Sequence, residues 1–181
     1  GRDPVTGRAT FPKLSAYGAS IRGPLGKGIG NTEFGYYDSR QDPGGDNPFV
    51  RNSELRLLLG YEQEMAKNLT LGVQYYLEHM LKHDAYLRTL PVGTPAHDNT
   101  RHVLTGRLTW LTKEQTVEWS LFGFYSPSDQ DAYLRPSVTY KATDQWRVEL
   151  GANLFFGRDN HTFFGQFQNN SNVYFALRNG F

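Results

Sequence analysis

Val173-Tyr-Phe-Ala-Leu-Arg-Asn-Gly-Phe181 alternates residue by residue. Val173, Phe175, Leu177 and Phe181 fall on one face of an extended chain, with Asn179 the exception among them. Tyr174, Ala176, Arg178 and Gly180 fall on the other face and are small, polar or amphipathic. Successive side chains of a strand point to opposite faces, so this pattern predicts a strand with one apolar and one polar side. A helix would instead repeat its apolar positions at i, i+3, i+4 and i+7.

The same pattern recurs upstream. In Ser53–Glu64, Leu55, Leu57, Leu59 and Tyr61 oppose Glu54, Arg56, Leu58, Gly60 and Glu62. In Leu69–Lys82, Leu69, Leu71, Val73, Tyr75, Leu77 and Leu81 oppose Thr70, Gly72, Gln74, Tyr76, Glu78 and Lys82. Arg101–Leu111, Thr116–Ser126, Tyr133–Ala142 and Trp146–Phe156 alternate likewise, and the Gly-rich Leu14–Arg22 and Ile29–Ser39 read as two further strands. With the terminal strand the reading gives about nine strands, long for an ordinary β-sandwich, whose strands usually run 5–6 residues.

The connections alternate in character. Arg22–Gly28, Ala66–Asn68, Thr112–Gln115 and Thr143–Gln145 are short. Asp38–Asn52, His83–Thr100, Ser126–Asp131 and Gly157–Asn170 are mostly longer and rich in Gly, Pro, Asn and Asp. Aromatics gather at strand ends: Tyr61, Trp110, Tyr140, Trp146 and Phe181 toward the short turns, Tyr36, Tyr75, Tyr125 and Phe156 toward the long connections.

Composition narrows the function classes. The 181 residues hold no cysteine, which excludes disulfides and thiolate metal sites. A formal net charge of +1 speaks against electrostatic nucleic-acid binding. Mean hydropathy is −0.58 and no apolar run approaches the ~18 residues of a membrane helix. Membrane strands alternate, however, so their average hydropathy is low.

Taken together, Ser53–Gly72, Ser126–Pro136, Val148–Gly157 and Val173–Phe181 make the chain resemble the C-terminal portion of Gram-negative outer-membrane β-barrels of the porin-like kind. Phe155-Phe-Gly157 followed by Phe163-Phe-Gly-Gln-Phe167 looks like the last outer loop of larger barrels. The resemblance implies an all-β, antiparallel, up-and-down transmembrane barrel, with about eight to ten strands present here and further strands in a larger barrel. Residues 1–181 would form one domain or the end of one, with residues 1–13 a loop or extension. It also implies an outer-membrane location, contact with lipid and lipopolysaccharide, and insertion by the barrel-assembly machinery through Val173, Phe175, Leu177 and Phe181. A homo-oligomer or a multi-protein outer-membrane complex would fit, and no cofactor or nucleic acid is implied.

On this reading the polar face lines a lumen with Arg56, Glu62, Glu78, Arg107, Glu118, Arg135, Lys141, Arg147, Glu149 and Arg178, and the aromatics above form girdles. The expected function is a passive or weakly selective pore. The alternatives are a non-conducting structural or interaction barrel, and a hydrolase at the outer rim. An odd strand count is unusual for single-chain bacterial barrels. The chain would then be the tail of a larger barrel, hold eight strands, or gain a tenth from Gly1–Lys13.

Other motifs read as scaffold. Gly23-Pro-Leu-Gly-Lys-Gly28 lacks the Ser or Thr of a phosphate loop and reads as a turn. His79 and His83 stand four apart, which brings ligands together only on a helix, whereas this segment reads as a strand entering a loop. His83-Asp84, His97-Asp98 and Asp159-Asn-His161 read as polar loop tips, and no catalytic or metal set is assigned. Asp42, Asp46 and Asn47 could take a Ca²⁺ or bridge lipopolysaccharide, without matching an EF-hand.

Overall fold

The computed structural model describes residue 3 and residues 6–180. Nine strands follow in chain order: β1 (Leu14–Leu25), β2 (Gly28–Ser39), β3 (Glu54–Ala66), β4 (Leu69–Met80), β5 (Thr100–Thr112), β6 (Val117–Ser126), β7 (Asp131–Lys141), β8 (Trp146–Gly157) and β9 (Asn172–Asn179). They form one sheet in the order β1-β2-β3-β4-β5-β6-β7-β8-β9, each strand antiparallel to its neighbour. The fold is all-β and up-and-down, as the alternation predicts. The readings at Phe181, in the girdle and the insertion signal, fall outside the described residues.

Register carries the two faces across the sheet, and the one irregularity is a shift between Glu64 and Ala66 beside the β3–β4 turn. On the apolar face Leu71 lies opposite Leu108, Leu108 opposite Leu121, and Leu121 opposite Pro136. On the polar face Gly35 lies opposite Arg56, Arg56 opposite Glu78, and Glu78 opposite Arg101. A one-residue slip at any pair would exchange the faces of every strand beyond it.

The turns explain where the strands stop. Residues 26–27 and 67–68 each reverse the chain, with Gly26 at φ 58° and Asn68 at φ 62°. Both are left-handed positions that glycine and asparagine accept readily. Strand ends shift by a residue or two throughout, and three differences from the sequence reading change a connection. First, β1 runs on through Gly23 and Pro24 to Leu25, because β1 is an edge strand, where proline is tolerated. Second, the β6–β7 connection shrinks to residues 127–130, as short as those at the other end, because Ser126 pairs with Asp131. Third, the β4–β5 connection holds a short helix, α1 (His83–Thr89), where the sequence reading expects only loop. A single 3-10 turn, Gly165–Phe167, lies in the β8–β9 connection.

Neither face is a conventional core. Among the described residues the buried hydrophobic side chains are Ala85, Val103 and Val117, all small. The described residues expose 12425 Å², whereas a folded water-soluble chain of this 20.6 kDa mass exposes about 8,900 Å². The apolar face contributes to it, with Ile21, Leu59, Leu104, Trp119, Leu150 and Phe175 all exposed. A β-sandwich would cover that face with a second sheet. Among the described residues there is one sheet and no such layer.

Candidate functional site

The polar face carries two clusters of charge. The first follows directly from register. Arg56, Glu78 and Arg101 sit in one cross-strand row, so their side chains meet. Arg56 Nη2 reaches Glu54 at 3.2 Å and its Nε reaches Glu78 at 3.5 Å. Arg101 Nη1 bonds the other Glu78 oxygen at 3.2 Å and its Nε bonds Asp129. Arg51 joins from the β2–β3 connection by pairing with Glu54. The Tyr76 hydroxyl donates to Glu78 at 3.0 Å, and the Arg56 guanidinium lies 4.2 Å above the Tyr37 ring. Three arginines thus meet three carboxylates, and Glu54 is only 6% exposed. A buried charge needs such pairing to persist.

The second cluster lies on β7–β9 and is not neutral. Glu149 accepts from Tyr174 at 2.8 Å and from Arg178 at 2.8 Å, with Arg135 at 3.7 Å. Arg135 also donates to the Tyr174 hydroxyl. Two arginines therefore share one carboxylate. Gly151 is required there, because a Cβ would strike the Tyr174 ring. Arg107 lies 5.7 Å over the Phe122 ring, and Glu62, Glu118 and Arg147 stand exposed on the same face. Lys141 turns to Asp144 in the β7–β8 turn at 2.9 Å. That hydrogen bond, and then the lysine's charge, hold the Asp144 carboxyl below its ordinary 3.8. The predicted set is thus split. Arg56 and Glu78 enter one cluster, Arg135, Glu149 and Arg178 the other, and five members join neither.

The β8–β9 connection folds onto this same face. Phe164 meets Phe124 edge-on at 4.6 Å and stacks on Tyr133 at 5.1 Å. Tyr133 stacks on Phe155 at 5.0 Å, and Phe167 lies 5.6 Å from Phe155. The Phe164 backbone N–H donates to Asp131 Oδ2 at 2.7 Å, and Asp131 is 1% exposed. Gly157 and Gly165 touch backbone to backbone, and a Cβ on either would collide. The sequence reading leaves the direction of this aromatic loop open. Phe122 and Phe124, placed on the polar face by alternation, were the available signal that something apolar covers them.

On the apolar face Tyr61, Trp110, Tyr140 and Trp146 sit toward the short turns, as expected. Trp119, absent from the predicted girdle, lies opposite Trp110 and joins that row. Toward the long connections Tyr17 stacks on Tyr36 and the Tyr75 hydroxyl bonds His102 Nδ1 at 2.7 Å. At the rim, Tyr86 stacks on His97 and lies tilted against His83, and His83 Nε2 is 2.9 Å from the His97 carbonyl. Among the described residues neither Asp84 nor Asp98 hydrogen-bonds a histidine, and no group of three His, Cys, Asp or Glu could hold a metal. Asp42 spends its carboxylate on the amides of Asp46 and Asn47 within its own loop. Among the described residues no helix is long and apolar enough to cross a membrane, which says nothing of strands.

No protein-family model, curated protein or solved structure matches the chain.

Proposed function

We propose that this sheet is the wall of a Gram-negative outer-membrane β-barrel acting as a passive or weakly selective pore for ions and small solutes. The observation that carries the reading is the uncovered apolar face, continuous from β1 to β9 and edged by aromatic rows, backed by a charged and hydroxylated face. In water such a face is a liability, and in lipid it is the contact surface. Strands of 8–13 residues suit a tilted crossing, for which about 9–11 are needed. The turns after β1, β3, β5 and β7 would face the periplasm, and the connections after β2, β4, β6 and β8, all but the third of them long, the outside. Lipid, lipopolysaccharide and the assembly machinery acting on β9 would be its partners, and we assign it no enzymatic step.

The test is reconstitution of the protein in planar bilayers. Discrete conductance steps are expected, and no conductance above leak refutes the pore. One observation favours a second reading, a non-conducting structural or interaction barrel. The β8–β9 connection lies over the polar face through Phe164, and the charges on β3–β5 are neutralised by pairing. On that reading the protein purifies with partner chains in fixed stoichiometry and conducts nothing.

A further inference from the structure

One row of the polar face holds a cation and a ring that the sheet leaves unmatched. Register sets Glu62, Gly72, Arg107, Phe122 and Arg135 side by side on β3 to β7. Arg135 is committed, since it donates to the Tyr174 hydroxyl and shares Glu149 with Arg178. Arg107 is exposed, and among the described residues its guanidinium makes no ion pair and no hydrogen bond. Glu62 leans over Gly72 from the far side without pairing to it. Phe122 is equally open. Phe124, Tyr133 and Phe155 form the next row outward, and Phe164 covers that row. Phe122 only tilts against Tyr133, at 6.1 Å, and among the described residues it stacks on no ring. Tyr133 is itself held in place, its hydroxyl donating to Asn153 at 2.6 Å.

We propose that Arg107 and Phe122 form a binding site for aromatic carboxylates, solutes in which a short linker joins a planar ring to a carboxylate. The proposal rests on the pore reading and names the class of solute that the pore selects. A guanidinium is weakly hydrated and presents paired N–H donors that match a carboxylate. Arg107 Cζ lies 5.7 Å from the centre of the Phe122 ring, close to the ~6 Å limit of a cation–π contact. A carboxylate can therefore draw the guanidinium aside at little cost while the solute's ring stacks on Phe122. The spacing of guanidinium and ring is what a short linker spans.

The two halves of the site define the class. An inorganic anion or a short aliphatic acid uses the guanidinium alone. An uncharged aromatic uses the ring alone, and an aromatic amine meets a repelling charge. Only an aromatic carboxylate engages both, and the aromatic row above Phe122 extends the apolar surface that it meets. Arg22 and Arg147 also stand on the polar face without an ion pair among the described residues, but neither lies over a ring, so each offers charge without the second contact. The site is open to water, so its affinity is low, as passage through a pore requires.

The test is a saturation-transfer NMR titration of 3-phenylpropionate against the full protein in lipid nanodiscs, with empty nanodiscs subtracted. Ionic strength is held fixed, because exposed charges are screened. Propionate supplies the charge alone and 2-phenylethanol the ring alone. The expected result is that 3-phenylpropionate binds about tenfold more tightly than either. Arg107→Met should weaken it about tenfold and Phe122→Leu about threefold, whereas Arg147→Met should change it less than about twofold. Equal binding of propionate overturns the proposal by showing a site that reads charge only. Equal binding of 2-phenylethanol overturns it by showing apolar partition. No loss with Arg107→Met, or the same loss with Arg147→Met, overturns it in favour of a diffuse basic field. Arg107 is exposed and unpaired, so Arg107→Met should keep the β-sheet circular dichroism. If that variant misfolds, Phe122→Leu decides, and unchanged binding there overturns the proposal. Binding is read without a current. Binding without conductance therefore refutes the pore alone, and conductance without binding refutes the site alone.

Discussion

Leu121 is the sharpest test of which face meets lipid. It lies mid-strand in β6, opposite Leu108 on one side and Pro136 on the other, and is 44% exposed. Ser120 is its chain neighbour on the polar face, opposite Thr109 and Ser137. An arginine at the lipid-facing midplane of a barrel costs about 2–4 kcal/mol. That is roughly a 30- to 900-fold fall in the folded-to-unfolded ratio. The same arginine at position 120 would stand in water and change stability by no more than about 0.5 kcal/mol. Leu121→Ala separates loss of the leucine from gain of the charge, and most of the effect should belong to the charge. The assay is reversible urea unfolding in phospholipid vesicles, with all three variants compared at equal lipid. If Leu121→Arg costs no more than Ser120→Arg, the apolar face does not meet lipid and the membrane reading is refuted.

Three further outcomes follow from the polar face and the rims. Glu78→Ala strands Arg56 and Arg101 beside a missing partner and removes the acceptor of Tyr76. It should lower unfolding free energy by about 1–3 kcal/mol, with Glu78→Gln costing less, both read by urea titration. Phe164→Ala deletes ring contacts to Phe124 and Tyr133, each worth about 0.5–1.5 kcal/mol. Single-channel conductance should rise with it if residues 158–171 narrow the lumen, and an unchanged conductance would show that the loop leaves the path clear. Asp144 gives a pH test. Its folded pKa is depressed, so its pairing with Lys141 is complete above the ordinary 3.8 and is lost as pH falls through the lower folded value. Lys141→Ala should therefore raise the Asp144 titration midpoint, followed by carboxyl-carbon NMR, and an unmoved midpoint would refute the pairing.

The strands were legible because their signal is local. Leu55, Leu57, Leu59 and Tyr61 declare a face within seven residues, and register then follows from keeping that face on one side. Boundaries were less legible where a residue has two uses. Gly23 and Pro24 read as the start of a turn, yet Gly26 and Lys27 alone reverse the chain and Pro24 stays in the edge strand. Helix α1 left little trace because it is one short element without a side-chain N-cap, beginning after Lys82 at φ 58°. Short helices draw their stability from tertiary contacts, here burial of Ala85 and the Tyr86–His97 stack. The candidate site was half legible. Alternation put Arg56, Glu78, Arg135 and Glu149 on one face, but which of them pair is decided by cross-strand register and by residues 158–171.

Whether the proposed barrel conducts turns on the same features that sequence left hidden. On β3–β5 the ion pairs neutralise each other, so that stretch of wall offers a solute little net charge. On β7–β9 two arginines face one glutamate, and Arg147 lies on β8 of the same stretch, so the basic character belongs to that side. Residues 158–171 are anchored over β6–β8 by Phe164 and Asp131. In a small barrel of about this many strands, this loop and the arginines would meet the opposite wall and fill the interior. In a larger barrel the opposite wall recedes, the loop becomes a constriction, and the unmatched arginines favour anions at that level. Phe164→Ala, measured by single-channel conductance, distinguishes these cases: a filled small barrel stays closed, whereas a constricted large one opens further.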